Sequence, residues 1–181
     1  MNIVVISGSP RKDGNTEIMA DNFAKGAMES GHAVAIKKLS SLKVEPCTAC
    51  KYCFTSGGIC SQKDDMTEIL EAIDEADMLV FASPIYWFDI TAQLKCVIDR
   101  MYARGKVGFH HKYVGLLLNS GAPGVYDAAI AQYNMTNKYL KWEDKGIITI
   151  GGMDDKGSMN NSEQLKEVFE FGKSLNSLGE L

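Results

Sequence analysis

Five short apolar runs recur at wide spacing along the chain: NIVVIS (2–7), AVAIKKL (33–39), MLVFAS (78–83), YVGLLLNS (113–120) and GIITIG (146–151). The first, third, fourth and fifth are nearly continuous in Val, Ile and Leu, as strands buried on both faces of a parallel sheet are. The second alternates and carries two lysines, which places it nearer a sheet edge. Helical stripes fill the gaps. Ile18, Met19, Phe23, Ala27 and Met28 form the first, ahead of a helix stop at Gly31. Met66, Ile69, Leu70 and Ile73 form the second, behind Asp64 and Asp65, which can cap free N–H groups and favour the helix dipole. Ile90, Leu94, Val97, Ile98 and Met101 form the third. A weaker helix covers 126–140. The last stripe uses Leu165, Val168, Phe169 and Leu175, with Asn161 or Ser162 as its cap.

Strict alternation of strand and helix predicts an α/β doubly wound sandwich. Its five-stranded parallel sheet would be covered by helices on both faces, in one domain over residues 1–181. One connection breaks the rhythm. From Ser40 to Asp64 the chain runs 25 residues without clear periodicity, well beyond the ~12–15 residues above which loops in compact domains are usually functional or disordered. This insertion at about 40–64 holds Cys47, Cys50, Cys53 and Cys60, four of the five cysteines.

Composition narrows the function classes. The chain has 181 residues, 45% hydrophobic and 23% charged, with a net charge of −4, values ordinary for a globular domain. It has no long basic run, so nucleic acid is not an expected partner. The apolar runs are too short to span a bilayer, so no membrane is expected either. The N-terminus reads as a first strand and not as an export signal. A cytoplasmic, reducing compartment is therefore expected, and a structural disulfide framework explains the cysteines poorly.

The first strand runs into SGSPRKDGNT (7–16) and then a helix. Ligands of doubly wound folds bind at the carboxyl ends of strands, where a loop opening a helix can cradle a phosphate. Ser7, Ser9, Thr16 and Arg11 supply hydroxyls and a guanidinium suited to a dianion. The loop matches neither the Walker A pattern nor G-x-G-x-x-G, so the phosphate differs from that of the usual NTP or dinucleotide. The bland alternative is a plain polar turn, and the direct junction of buried strand and helix argues against it. With the flavodoxin-like strand order 2-1-3-4-5, SPIYWFD (83–89) and NSGAPGVYD (119–127) line the same crevice. Tyr86 and Trp87 bring flat faces there; Asn119, Ser120, Gly121 and Gly124 bring polar contacts. Such a crevice fits flavin mononucleotide (FMN).

SGSPRKDGNT, SPIYWFDITAQLKCVIDR and PCTACKYC…GICSQKDDM together resemble the NADPH-dependent FMN reductase family of the flavodoxin-like superfamily, in particular its iron–sulfur flavoprotein branch. The resemblance covers most of residues 1–125. It implies FMN, a homodimer or a homotetramer built as a dimer of dimers, and a flavin near the subunit interface. By position, it implies that Ser7, Ser9, Arg11, Asn15 and Thr16 hold the phosphate. Pro84, Ile85, Tyr86 and Trp87 would border the isoalloxazine, and Asn119, Ser120 and Gly121 would contact its polar edge. Trp87-Phe88-Asp89 departs from the smaller polar turn of many simple members. The chemistry would be the flavin's, with hydride taken from NAD(P)H and electrons passed to a quinone, flavin or other small acceptor, or through an iron–sulfur cluster to a redox partner. No catalytic side chain is required. An electron-transfer protein without its own NAD(P)H oxidation, or a non-catalytic metal-binding module, are the alternatives.

The cysteine spacing C-x2-C-x2-C-x6-C leaves four readings open. Three thiols at successive three-residue steps resemble ferredoxin runs, so Cys47, Cys50, Cys53 and Cys60 are candidate ligands of a [4Fe–4S] cluster. Cys50 and Cys53 could instead cycle as a redox pair, the loop could pack over a neighbouring subunit's flavin with free thiols, or the set could hold zinc. Cys96, on the apolar side of a helix, is expected to be inert. His110 and His111 read as a solvated pair in a connecting loop.

Overall fold

A computed structural model describes residues 1–175. Its strands are β1 (Asn2–Ser7), β2 (Ala33–Lys38), β3 (Met78–Pro84), β4 (Tyr113–Asn119) and β5 (Glu143–Ile150). They form one parallel sheet in the order β2-β1-β3-β4-β5. The helices are α1 (Asn15–Glu29), α2 (Met66–Asp74), α3 (Ala92–Arg100), α4 (Asp127–Leu140) and α5 (Leu165–Ser174). This is the expected flavodoxin-like sandwich, with the lysine-bearing β2 at one edge. No helix among the described residues is long and apolar enough to cross a membrane.

Alternation along the strands assigns the layers. Ile3 and Val5 of β1 join Met78 and Val80 of β3 against Met19, Phe23 and Val168 of α1 and α5. Val4 and Ile6 join Leu79 and Phe81 against Ile69, Leu94 and Ala129 of α2, α3 and α4. Successive side chains of a strand point to opposite faces, so each central strand needs apolar residues at every position. That requirement produces the unbroken runs in the sequence.

The layer of α1 and α5 is unusually tight. A Cβ added to Gly26 would lie 2.0 Å from the Phe169 carbonyl oxygen, and one on Gly172 would lie 2.2 Å from that of Phe23. The two helices thus meet backbone to backbone through paired glycines.

Three local expectations are corrected. Helix α5 starts at Leu165 with Gln164 as N-cap, because Ser158–Asn161 closes into a separate 3-10 turn; neither Asn161 nor Ser162 caps α5. Asp65 occupies the N-cap position of α2 but makes no side-chain capping bond there. Its carboxylate accepts from the Lys43 amide at 2.7 Å instead. The histidine pair divides: His110 is exposed, whereas His111 is 2% exposed and packs against Phe109 and Trp142. The loop 104–112 folds back onto the core there, which a two-residue polar motif does not announce.

Burial pushes the His111 imidazole down to about 4; the Ile73 backbone and Asp74 offset part of this, while His110 adds to it. The unfolded chain binds this proton near pH 6.5, well above the folded value. The stability carried by neutral His111 is therefore full above pH 6.5 and falls as the pH drops toward 4. Urea titrations at pH 7 and pH 5 should differ by about 2 kcal/mol from this group. In His111→Phe that part of the difference should vanish; an unchanged difference would show that other groups carry the acid sensitivity.

Candidate functional site

At the carboxyl ends of β1, β3 and β4 lies a polar crevice of about 190 Å³. Ser9, Arg11 and Thr16 form one wall, Pro84, Ile85 and Tyr86 a second, and Asn119, Ser120 and Gly121 a third. With Asn15, these are all but three of the residues expected at the cofactor; Ser7, Trp87 and Gly124 do not line the cleft.

The walls are tied to one another. Asn119 Nδ2 donates to Thr16 Oγ1 at 2.8 Å, joining the end of β4 to the start of α1. The Arg11 amide donates to Ser9 Oγ at 3.1 Å. Ser120 Oγ is held between the Ala122 carbonyl and the Tyr126 hydroxyl, each at 2.6 Å. Helix α1 begins at an N-cap glycine, Gly14, with no side-chain cap. Its first amides thus remain available to an anion at the positive end of the helix. Glu17, 2% exposed in that first turn, does not compete for the cleft. Its carboxylate accepts from the Asp13 amide and the Ser40 hydroxyl and pairs with Lys38 at 3.5 Å.

Three expected residues behave differently from their neighbours. Ser7 is fully buried, and its hydroxyl lacks a hydrogen-bond partner. Asn15 is consumed by the loop after β5. Its Nδ2 donates to the carbonyls of Met153 and Asp155 and to Ser158 Oγ, and its Oδ1 accepts from the amides of Gly157 and Met159. With both amide atoms engaged, Asn15 builds the cleft and has little left to offer a phosphate. Trp87 is 92% exposed at the tip of a tight turn closed by a Tyr86–Asp89 bridge. Trp87 and Phe88 both have positive φ (50° and 71°), and their rings meet edge-on, 6.0 Å apart.

The loop after β5 supplies lining that the sequence reading missed: Met153, Asp154 and Lys156. Asp154 lies so close to Gly121 that a Cβ on that glycine would be 1.9 Å from its Oδ1. The available signal was GGMDDKG (151–157), a glycine-rich stretch at the carboxyl end of β5.

The cysteine loop packs beside α3. Cys47 and Cys50 are exposed, and Cys53 and Cys60 are half-buried. Cys50 Sγ lies 3.3 Å from Ser61 Oγ, and this contact, with the Tyr52 backbone, favours its thiolate. Among the described residues, no three His, Cys, Asp or Glu side chains are arranged to hold a metal ion. The four thiols as folded do not fit a cluster. Burial pushes the Cys96 thiol up, in keeping with an inert role. Under this loop, between α3 and α4, lies a mainly apolar cavity of about 670 Å³ bordered by Phe81, Leu94, Met101, Leu116 and Tyr133.

The polar cleft fits the phosphate end of FMN: an uncapped helix start, two hydroxyls and a guanidinium converge in it. The model of the NADPH-dependent FMN reductase family matches residues 1–142. An iron–sulfur flavoprotein of Archaeoglobus fulgidus is 35% identical over 180 residues, covering 97% of this chain and 79% of that protein. An iron–sulfur flavoprotein of Methanocaldococcus jannaschii is 36% identical over 100 residues, and the match spans about half of each chain (55% and 51%). An NAD(P)H:quinone oxidoreductase from Methanothermobacter marburgensis shares the fold with a TM-score of 0.70 at 21% identity, covering 97% of this chain and 96% of that one. The chain belongs to the NADPH-dependent FMN reductase family and is a flavin-dependent oxidoreductase of that kind.

Proposed function

We propose that the protein takes hydride from NAD(P)H onto FMN held in the β1/β3/β4 cleft and passes the electrons to a small acceptor such as a quinone or a flavin. The observation that carries this reading is the convergence of Ser9, Arg11, Thr16 and the uncapped start of α1 on one wall of a cleft whose other walls are Pro84–Tyr86 and Asn119–Gly121. Ser9, Arg11 and Thr16 hold the phosphate. Asn119 fixes the Thr16 hydroxyl so that its proton points away from the amide that donates to it. Pro84, Ile85 and Tyr86 border the ring system and limit water on that side, and Asn119–Gly121 contact its polar edge. FMN, when bound, supplies the two-electron chemistry between nicotinamide and acceptor. The exposed Trp87–Phe88 turn is positioned to meet a flat partner molecule or a second subunit in a homodimer or homotetramer.

A second reading, electron passage through a [4Fe–4S] cluster on Cys47, Cys50, Cys53 and Cys60 to a redox protein, is favoured by the cysteine spacing and by the names of the relatives. It requires the loop to bring its thiols together. The deciding experiment is anaerobic purification with iron, sulfide, zinc and flavin measured per chain, then stopped-flow mixing with NADPH and NADH. We expect one FMN per chain and loss of its visible absorbance on mixing. Flavin that neither nicotinamide reduces would mark a passive electron carrier. Zinc without flavin would mark a metal-binding module. Four iron and four sulfide per chain would establish the second reading.

A further inference from the structure

Arg100, the last residue of α3, is 2% exposed although it is charged. Its guanidinium makes a two-pronged ion pair with Asp64 at 2.8 and 2.9 Å and also donates to the Glu45 carbonyl at 2.8 Å. Those two partners are the stems of the cysteine loop, one ahead of Cys47 and one after Cys60. Asp64 closes the same junction by accepting from the Glu45 amide at 2.9 Å. Nε of Arg100 has no hydrogen-bond partner. Burial opposes the charge on Arg100, and the Asp64 carboxylate outweighs it. Four residues on, Arg104 is held by Asp74 at 2.7–2.9 Å and donates to the Gly58 carbonyl, inside the loop just before Cys60. Two arginines one helical turn apart thus grip the loop at Glu45, Gly58 and Asp64.

The opposite end of the same helix is fixed to the flavin cleft. Thr91, the N-cap of α3, donates its hydroxyl to the Gly8 carbonyl at 2.6 Å and its amide to Ser83 Oγ at 3.2 Å. Nine residues of α-helix separate these anchors, a rigid span of about 13 Å.

We infer that Arg100 and Arg104 are positioning residues for the thiol of Cys60, and that α3 sets the separation between that thiol and the flavin cleft. The inference rests on the flavin reading of the cleft, and it concerns where the Cys60 thiol is held. A buried fork of this kind is costly unless every partner is in place, so it defines one geometry for the loop stems. Cys47 and Cys50 are already exposed, so release of the loop stems changes their accessibility little.

The test labels the FMN-loaded protein briefly with iodoacetamide and measures alkylation at each cysteine by mass spectrometry, beside an FMN titration of every variant. In Arg100→Met and in the gentler Asp64→Asn, Cys60 should alkylate at least tenfold faster, with Cys47, Cys50 and Cys96 within twofold of wild type. Arg100→Lys keeps the charge and loses the fork, and should fall between. Arg104→Ala should release Cys60 as well. Unchanged Cys60 labelling in Arg100→Met and Asp64→Asn would overturn the inference. So would a parallel rise at Cys96, which marks general loosening. The flavin reading stands or falls separately, on whether the wild-type protein binds FMN at all.

Discussion

Arg11→Ala should bind FMN about a hundredfold more weakly than the wild type, a loss of about 3 kcal/mol, with riboflavin binding nearly unchanged. Arg11 is the one guanidinium lining the cleft, on the loop that opens α1. A phosphate dianion there gains charge-assisted hydrogen bonds that neither Ser9 nor Thr16 can replace. The contrast between FMN and riboflavin isolates the phosphate: a general defect of the cleft would weaken both ligands. Because Arg11 is exposed, the effect should shrink as salt is raised. Fluorescence titration with the two ligands is the measurement. Equal affinities of wild type and variant for FMN would remove the loop from the phosphate site.

The second large effect is expected far from the cleft. Gly26→Ala or Gly172→Ala should each cost about 3 kcal/mol or more in urea unfolding, because the added methyl meets backbone and not a side chain that can rotate away. The nearest atoms are the carbonyl oxygens of Phe169 and Phe23, at 2.0 and 2.2 Å. Relief requires α1 and α5 to separate along their whole contact, opening the core formed by Met19, Phe23 and Val168. The two substitutions act on one interface, so the double variant should cost less than the sum of the singles. A loss below about 1 kcal/mol in either single variant would mean that the helices can slide apart cheaply.

The sheet was legible because its requirement is simple. A central strand covered on both faces must be apolar throughout, and the apolar–polar alternation of a half-exposed strand cannot serve there. MLVFAS and YVGLLLNS therefore announced β3 and β4 directly, and the lysines of AVAIKKL announced an edge. The three walls of the cleft followed from the strand order. What was not legible depends on contacts between distant positions. Nothing local to Asn15 indicates that its amide is taken up by residues 153–159. Asp64 does serve the helix start, accepting from the Met66 amide at 3.3 Å, but nothing local shows that it also holds Arg100, 36 residues later. The glycines at 26 and 172 look like weak points in two helices until the helices are seen to touch there. His111 reads as surface because the aromatic cover from Phe109 and Trp142 comes from flanking and remote chain.

The knot around Asn15 has a consequence for how the protein is made. Its partners lie 138 to 144 residues further along the chain. Synthesis proceeds at roughly 5–20 residues per second, so the start of α1 waits several seconds or more for the segment that fixes it. The parallel pairing of β1 with β3 likewise joins residues about 75 apart, and such long-range closure is slow. The loop that opens α1, although encoded among the first sixteen residues, is among the last parts of the molecule to acquire its final shape.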